Sequence, residues 1–137
     1  MMQLTPELES QLVQSAAVAA SNAYAPYSKF QVGAALLAES GEIFIGCNVE
    51  NASYGMTICA ERVAATSAVA AGQRSFVAIA LSISGGGTPC GACRQFLAEF
   101  NPALPVLIHD SDSKQVARMS LDELLPSRFE FEGPDSD

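Results

Sequence analysis

Two short segments of the sequence combine three thiols with a carboxylate. One is Cys59-Ala60-Glu61, and the other is Cys90-Gly91-Ala92-Cys93. Two cysteines separated by two residues, with a third cysteine upstream, can give a metal ion three protein ligands and leave one coordination position for water. The acid next to the first cysteine would lie beside that open position. The combination predicts a catalytic zinc site, because structural zinc sites are closed by four protein ligands.

The same residues also have simpler interpretations. The three cysteines could form a structural zinc knot or remain buried thiols, and Glu61 could be a solvated helix charge. Cys47 lies in a predicted strand outside the two segments, and we expect it to be a packing residue because buried free cysteines are common. His109, the only histidine, is expected to have a packing or surface role. Arg94 could be a surface residue or a second charge partner of the metal site.

The composition describes one acidic domain. The chain has 137 residues, of which 49% are hydrophobic, and this is enough to bury a core without disulfides. We expect one catalytic domain over 1–132 and a disordered tail over 133–137. Seven basic and fifteen acidic residues give a formal net charge of −8. That charge repels phosphate backbones, so we expect a small free substrate and no nucleic acid partner.

The N-terminal residues argue against export. Met1 to Glu9 are polar and acidic, whereas a secretory signal has a basic start followed by an apolar run. Polar residues interrupt every apolar stretch before it reaches the length needed to span a membrane. We therefore expect a cytoplasmic protein without a membrane partner, in which reduced cysteines serve metal or redox chemistry.

The elements that must position the two segments follow from capping and periodicity. Thr5-Pro6 predicts a helix start, Ser40-Gly41 a hairpin turn, and Ser120 to Glu123 a capping box. Thr57 and Thr88-Pro89 are predicted to begin the helices that carry the cysteines. The predicted strands are 30–38, 43–49, 76–84, 105–109 and 115–119. The first predicted helix extends from Thr5-Pro6 to about residue 22, and the second covers 60–71. The third extends from Thr88-Pro89 to about residue 100, and a last short helix begins at Ser120. This order predicts a three-layer α/β/α sandwich with a mixed sheet of about five strands.

Two predicted helix starts would bring the metal ligands together. Cys59 and Cys90 each fall in a first turn, where free amides and the helix dipole favour thiolates. Cys90 and Cys93 are three residues apart and share a helix face. Cys59 and Glu61 would point roughly 200° apart on a regular helix, so the metal must lie beyond the helix end.

These residues resemble the cytidine deaminase family, in particular its short, homotetrameric, three-cysteine branch. The likeness covers nearly the whole chain, and its blocks occur in order with plausible spacing. They are Tyr27-Ser28-Lys29-Phe30, Val32-Gly33-Ala34-Ala35, Gly46 to Gly55, Cys59-Ala60-Glu61-Arg62, Pro89-Cys90-Gly91-Ala92-Cys93-Arg94-Gln95, and Leu124-Leu125-Pro126 before Phe129.

The resemblance implies hydrolytic deamination of free cytidine and 2'-deoxycytidine, a pyrimidine salvage reaction, with one zinc ion per subunit. Cys59, Cys90 and Cys93 would bind zinc, and zinc-bound hydroxide would attack C4 of the base. Glu61 would take a proton from the water, pass it to N3 and later help to protonate departing ammonia. Arg62 would withdraw charge from the zinc–thiolate group by bonding to a cysteine sulfur.

The resemblance also implies a nucleoside site. Asn48 and Glu50 would hydrogen-bond the sugar hydroxyls, and the Glu50 carboxylate would repel a 5'-phosphate. The active sites of a homotetramer would be completed by neighbouring subunits. The substrate-binding residues implied in this way are Phe30 on the pyrimidine, Asn48, Glu50, Tyr54, Ala60, and Phe129 from a neighbouring subunit.

Three alternatives stay open at this point. The chain could deaminate another aminopyrimidine nucleoside such as blasticidin S, or it could be a non-catalytic, zinc-stabilised nucleoside-binding module. Deaminases of single-stranded nucleic acid share the zinc segments, but the acidic charge disfavours that activity. The sequence makes no prediction about the preference between cytidine and deoxycytidine, nor about a role for the acidic tail.

Overall fold

A computed structural model describes residues 2–131 and contains one mixed β-sheet. The strands are β1 Gly33–Ala38, β2 Ile43–Cys47, β3 Phe76–Ile83, β4 Pro105–Asp110 and β5 Val116–Ser120. Their spatial order is β2-β1-β3-β4-β5, and only the β3–β4 pair is parallel. The predicted sheet of five strands is confirmed, with β3 at its centre. The predicted tail, 133–137, lies outside the described residues.

Helices cover both faces of the sheet. The helices are α1 Pro6–Ala20, α2 Ala60–Ala70, α3 Gly91–Ala98 and α4 Leu121–Leu124, with a short 3-10 turn at Tyr54–Met56. The buried residues Ala35 and Leu37 of β1 belong to the core on the α1 side. Their neighbours Ala34 and Leu36 belong to the core on the side of α2 and α3. Because alternate residues of a strand face opposite ways, these two cores define the predicted α/β/α sandwich.

The predicted capping signals explain two of the helix starts. The Thr5 hydroxyl accepts a hydrogen bond from the Leu8 amide at 3.2 Å, and a proline occupies the first turn of α1. At α4, the Ser120 amide donates to the Glu123 carboxylate at 3.1 Å within a capping box.

No helix within residues 2–131 is long and apolar enough to cross a bilayer.

The predicted strand 30–38 begins only at Gly33. A side chain replaces the neighbouring strand before that point: the Asn48 amide group donates to the Phe30 carbonyl at 2.8 Å and accepts from the Val32 amide at 2.9 Å. The second predicted strand also ends early, at Cys47 rather than Val49. Val49 instead forms isolated bridges with Tyr24 and Ile58.

The starts of α2 and α3 correct the sequence prediction. Thr57 was expected to cap α2, but the N-cap is Cys59. Ile58 pairs with Val49 in extended conformation, so the helix cannot begin earlier. The N-cap of α3 is likewise Cys90 rather than Thr88. Both metal-binding candidates therefore immediately precede a first turn.

Helix α2 lies unusually close to the sheet at Gly46 of β2. A Cβ atom at this position would lie 2.4 Å from the Ala60 carbonyl oxygen and 2.5 Å from the Ala64 amide nitrogen. Only a residue without a side chain allows this approach. The glycine thus fixes the position of the first turn of α2, which begins directly after Cys59 and includes Glu61.

Candidate active site

Three thiols meet where α2 and α3 begin. Cys59 and Cys90 are the N-cap residues of the two helices, and Cys93 lies in the first turn of α3. Their Sγ atoms all lie within 4.8 Å of one another, and the Cys59–Cys90 distance is 4.0 Å. Zn–S bonds of about 2.3 Å in a tetrahedron separate sulfur atoms by about 3.8 Å. The thiols therefore fit a zinc ion with little movement.

The cluster has the composition of an open metal site. All four cysteines are free thiols. Within the part of the chain that the structure describes, no fourth cysteine, histidine or carboxylate belongs to the group. Catalytic zinc sites keep three protein ligands and an open position, whereas structural sites have four. The donor set thus fits catalytic zinc.

Arg62 supplies positive charge to the sulfur cluster. Its Nη2 atom donates a hydrogen bond to Cys59 Sγ at 3.7 Å, which is the contact implied by the family resemblance. This hydrogen bond raises the pKa of the guanidinium. Its Nε atom is buried and has no hydrogen-bond partner among residues 2–131. The guanidinium thus lies beside the thiols, and its positive charge and donated hydrogen bond favour their anionic form.

The thiols themselves differ in acidity. Hydrogen bonding with Cys93 lowers the pKa of Cys59 to about 5, and the bond from Arg62 adds to this effect. The pKa of Cys93 is raised by its hydrogen bonding with Cys59 and by burial. Because zinc binds thiolates, its binding would release the remaining protons, and affinity would fall in acid.

Glu61 is a buried carboxylate next to this cluster. It is only 5% exposed and lines a cavity of about 210 Å³ together with Cys59 and Cys90. Burial raises the pKa of its carboxyl, and the neighbouring Cys59 charge acts in the same direction. A raised pKa brings the carboxyl closer to the pH range in which a general acid–base works.

Several residues of the cavity wall were not predicted. Leu81 and Ile83 are alternate residues of β3 that face the α2 side, so the two-residue period of the strand could have indicated them. Thr57 and Thr88 each stand two residues before a candidate metal-binding cysteine, and this repeated spacing could have indicated them, although both threonines were expected to be helix caps. The lining is Val32, Asn48, Thr57, Cys59, Ala60, Glu61, Leu81, Ile83, Thr88 and Cys90.

Four of the predicted substrate-binding residues lie in or beside this cavity. Asn48 and Ala60 line it directly. Glu50 and Tyr54 line a second cavity of about 370 Å³, which shares Thr57 with the first. Glu50 accepts hydrogen bonds from the Tyr27 and Ser28 amides at 3.0 and 3.1 Å and from the Ser28 hydroxyl. The bonds from Ser28 lower the pKa of this carboxyl.

The two predicted aromatic contacts lie elsewhere on the chain. Phe30 is 43% exposed and does not line the cavity. Phe129 is 71% exposed and lies in a separate groove beside Gln95 and Phe131. Neither ring therefore lines the cavity that holds Cys59 and Cys90. The expected role of Phe129 in the site of a neighbouring subunit stays a prediction.

The remaining polar residues are outside the metal cluster. His109 is buried, and its Nδ1 atom is 2.9 Å from the Ser82 hydroxyl, so the expected packing role fits. Cys47 is partly buried and not part of the thiol group. Arg94 is hydrogen-bonded to oxygen atoms, and these include the Pro89 and Leu124 carbonyls. Its hydrogen bonds therefore do not support the charge-partner interpretation.

Fold and site together define a class of protein. An α/β domain with three cysteines at two helix starts and a non-ligating glutamate beside them has the arrangement of the zinc-dependent deaminases.

The comparisons with known proteins give the family. Residues 6–108 match the model of the cytidine and deoxycytidylate deaminase zinc-binding region. The cytidine deaminase of Sporosarcina psychrophila is 48% identical over 124 residues, which cover 88% of this chain and 90% of that protein. The crystal structure of cytidine deaminase from Burkholderia pseudomallei superposes with a TM-score of 0.84 at 46% identity, covering 92% of this chain and 100% of that chain. The chain belongs to the cytidine and deoxycytidylate deaminase family, whose cofactor is zinc.

A third comparison shows the same fold at lower identity. The cytidine deaminase from Mycobacterium tuberculosis has a TM-score of 0.77 at 36% identity, with 90% of this chain and 98% of that chain covered. The expected family, α/β fold and enzyme class are therefore confirmed.

Proposed function

We propose that the chain converts free cytidine and 2'-deoxycytidine, with water, to uridine and 2'-deoxyuridine plus ammonia. The observation that carries this proposal is the buried Glu61 carboxylate in the same cavity as Cys59 and Cys90. A structural zinc site is closed by four protein ligands and does not require a non-ligating carboxylate beside them. The cytidine deaminases to which the chain is similar support the choice of substrate.

Cys59, Cys90 and Cys93 would hold the zinc ion. When bound, zinc supplies a Lewis acid that lets water act as a nucleophile near neutral pH. Glu61 accepts a proton from the attacking water and delivers it to N3 of the pyrimidine. It then takes the proton of the hydroxyl group that the addition leaves on C4 and passes it to the amino group, which departs as ammonia when the C4–N bond breaks. The raised pKa of Glu61 suits both steps.

Arg62 would tune the ligands rather than contact the substrate. Three thiolates give a zinc centre a formal charge of about −1, which weakens its Lewis acidity. The hydrogen bond from Arg62 to Cys59 withdraws electron density from one sulfur. Groups that bond to metal ligands in this way commonly control affinity and reactivity.

The nucleoside would span the two neighbouring cavities, whose linings share Thr57. The base lies beside Ala60 and Glu61, and the sugar extends past Thr57 toward Glu50 and Tyr54. The ionised Glu50 carboxylate accepts hydrogen bonds from sugar hydroxyls and repels a 5'-phosphate, so free nucleosides are favoured over nucleotides. Asn48 has both ends of its amide group bonded to backbone. It shapes the wall and would reach the sugar only by exchanging one of these bonds.

A homotetramer would complete the site. Phe129, Phe131 and Tyr54 are large and strongly exposed, and burial between subunits would remove their apolar surface from water. In this assembly Phe129 closes the site of a neighbouring subunit, and Phe30 packs on the pyrimidine. We place the enzyme in the cytoplasm, where a reducing environment keeps its free thiols available for zinc.

One assay tests the proposal. Purified protein is incubated with cytidine, deoxycytidine, cytidine 5'-monophosphate and blasticidin S, with and without a chelator, and ammonia release is followed. We expect turnover of both free nucleosides and its loss with the chelator. Turnover of blasticidin S alone would reassign the substrate. Binding of cytidine without ammonia release would instead identify a binding module.

A further inference from the structure

Arg94 makes three hydrogen bonds that the proposed chemistry does not use. It directly follows Cys93 on α3. Its Nε atom donates to the Pro89 carbonyl at 2.7 Å, and Nη2 donates to the Thr88 hydroxyl at 2.9 Å. Nη1 donates to the Leu124 carbonyl at 2.6 Å. The Arg94 guanidinium thus contacts both the segment before Cys90 and the distant residue Leu124.

The first two bonds hold the loop that leads to Cys90. This loop begins with three glycines, 85–87, and Gly85 and Gly86 have positive φ angles of 84° and 70°. Glycine leaves the backbone with wide conformational freedom. Thr88 lines the cavity of the candidate active site, and Cys90, two residues later, is one of the three proposed zinc ligands. Arg94 therefore ties the glycine-rich segment before Cys90 to the helix that carries Cys93.

The third bond reaches the C-terminal segment, residues 121–131. Leu124 is the last residue of α4. The adjacent Gln95 makes a parallel contact, since its Nε2 atom donates to the Phe129 carbonyl at 3.0 Å. Two consecutive side chains of α3 thus hold the segment at two of its carbonyls. The same helix contributes Cys93 to the metal site and anchors the segment that carries Phe129.

We propose that Arg94 is a positioning residue that holds both the loop before Cys90 and the C-terminal segment in place against the start of α3. The proposal uses the zinc site of the proposed function but not its substrate. Arginine suits the task because its planar fork presents several donors in fixed directions. Lysine carries the same charge but cannot satisfy three separated acceptors from one fixed geometry.

Four variants separate this role from general stabilisation. Arg94→Ala and Arg94→Lys remove the three-way contact, and Gln95→Ala removes only the Phe129 contact. Leu12→Ala is the matched stability control, because Leu12 is fully buried on the opposite face of the sheet. For each zinc-loaded protein, we would measure zinc release to a chromogenic chelator, hydrogen exchange over residues 121–131, and kcat and KM for cytidine.

We expect both Arg94 variants to release zinc about 10–100-fold faster than the parent protein. Their C-terminal segment should also exchange faster. Gln95→Ala should speed exchange near Phe129 and leave zinc release unchanged, and Leu12→Ala should lower the melting temperature without changing either property. The Lys variant keeps the test valid if the Ala variant does not fold.

Two results would overturn the proposal. One is parental zinc release from both Arg94 variants, and the other is faster release without a change in exchange over 121–131. A parent protein that retains zinc but does not turn over cytidine would refute the proposed substrate, while these two measurements would still decide the role of Arg94.

Discussion

Glu61 lies two residues after Cys59, and both side chains line one cavity although they begin the same helix. On a regular helix, two residues at this spacing point in nearly opposite directions. Cys59 is instead the N-cap, with extended backbone angles of φ −72° and ψ 153°. The extended residue turns its thiol beyond the helix end, while Glu61 projects from the first turn. A candidate metal ligand and a proposed proton-transfer group can therefore meet at one cavity.

The first prediction concerns Glu61 itself. Glu61→Gln keeps the size of the side chain but removes its ability to accept and donate the proton. We expect activity to fall by about 10²–10⁴-fold or more, since positioned proton transfer contributes on that scale. Zinc content and circular dichroism should match those of the parent protein. Retained turnover in a zinc-loaded Gln variant would contradict the role.

A second prediction concerns the cation beside the sulfurs. Arg62→Ala removes the hydrogen bond to Cys59, and we expect zinc affinity to fall by about 10–100-fold. Turnover of the zinc-loaded protein should fall as well, because the ligands would carry more negative charge. Chelator competition and steady-state kinetics measure the two effects. Unchanged metal retention and turnover would exclude this role for Arg62.

The Glu50 carboxylate should act mainly on substrate binding. Glu50→Gln is expected to raise KM for cytidine about 10–100-fold, the range for a lost hydrogen bond to a charged group. It should also weaken discrimination against cytidine 5'-monophosphate. Glu7→Gln, at an exposed carboxylate in the first turn of α1, is the control. If Ser28→Ala raised KM equally, Glu50 would act by supporting the loop rather than by binding sugar.

Gly46 gives a prediction about folding. Gly46→Ala places a methyl group against the backbone of α2, and overpacking of this kind costs about 1–3 kcal/mol. Gly55→Ala is the matched control, since a Cβ there meets no atom within 4 Å. Denaturant unfolding of both variants measures the difference. Equal stability of the two variants would mean that α2 moves away from the sheet without cost.

Much of the fold could be predicted because its signals are local. The Thr5 cap, the Ser120 capping box and the apolar run of β3 specified elements that the structure contains. The start of α2 was missed because Thr57 has the right residue type for a cap. Its hydroxyl instead accepts a hydrogen bond from the Asn51 amide at 3.3 Å. The helix-capping propensity of Thr57 is therefore overridden by its hydrogen bond from the Asn51 amide, a contact that the sequence alone does not indicate.

The residues of the candidate site also fall into two groups: those that sequence spacing indicates and those whose roles depend on contacts with other segments. Cysteine spacing was enough to indicate the three thiols that meet in one cluster, because few other structures require three thiols beside a carboxylate. The roles of Asn48 and Arg94 depend on backbone carbonyls and amides contributed by other segments. Backbone groups have no signature in sequence. The proposed role of Phe129 in a neighbouring subunit rests on the family resemblance and stays a prediction.

The most direct test of the account is X-ray absorption spectroscopy at the zinc edge of the purified protein, combined with metal analysis. We expect one zinc per chain, bound by three sulfur atoms at about 2.3 Å and one oxygen at about 2.0 Å. Inhibition by a chelator and restoration by zinc should accompany that spectrum. A shell of four protein ligands, or protein that is active without zinc, would contradict the open three-cysteine site.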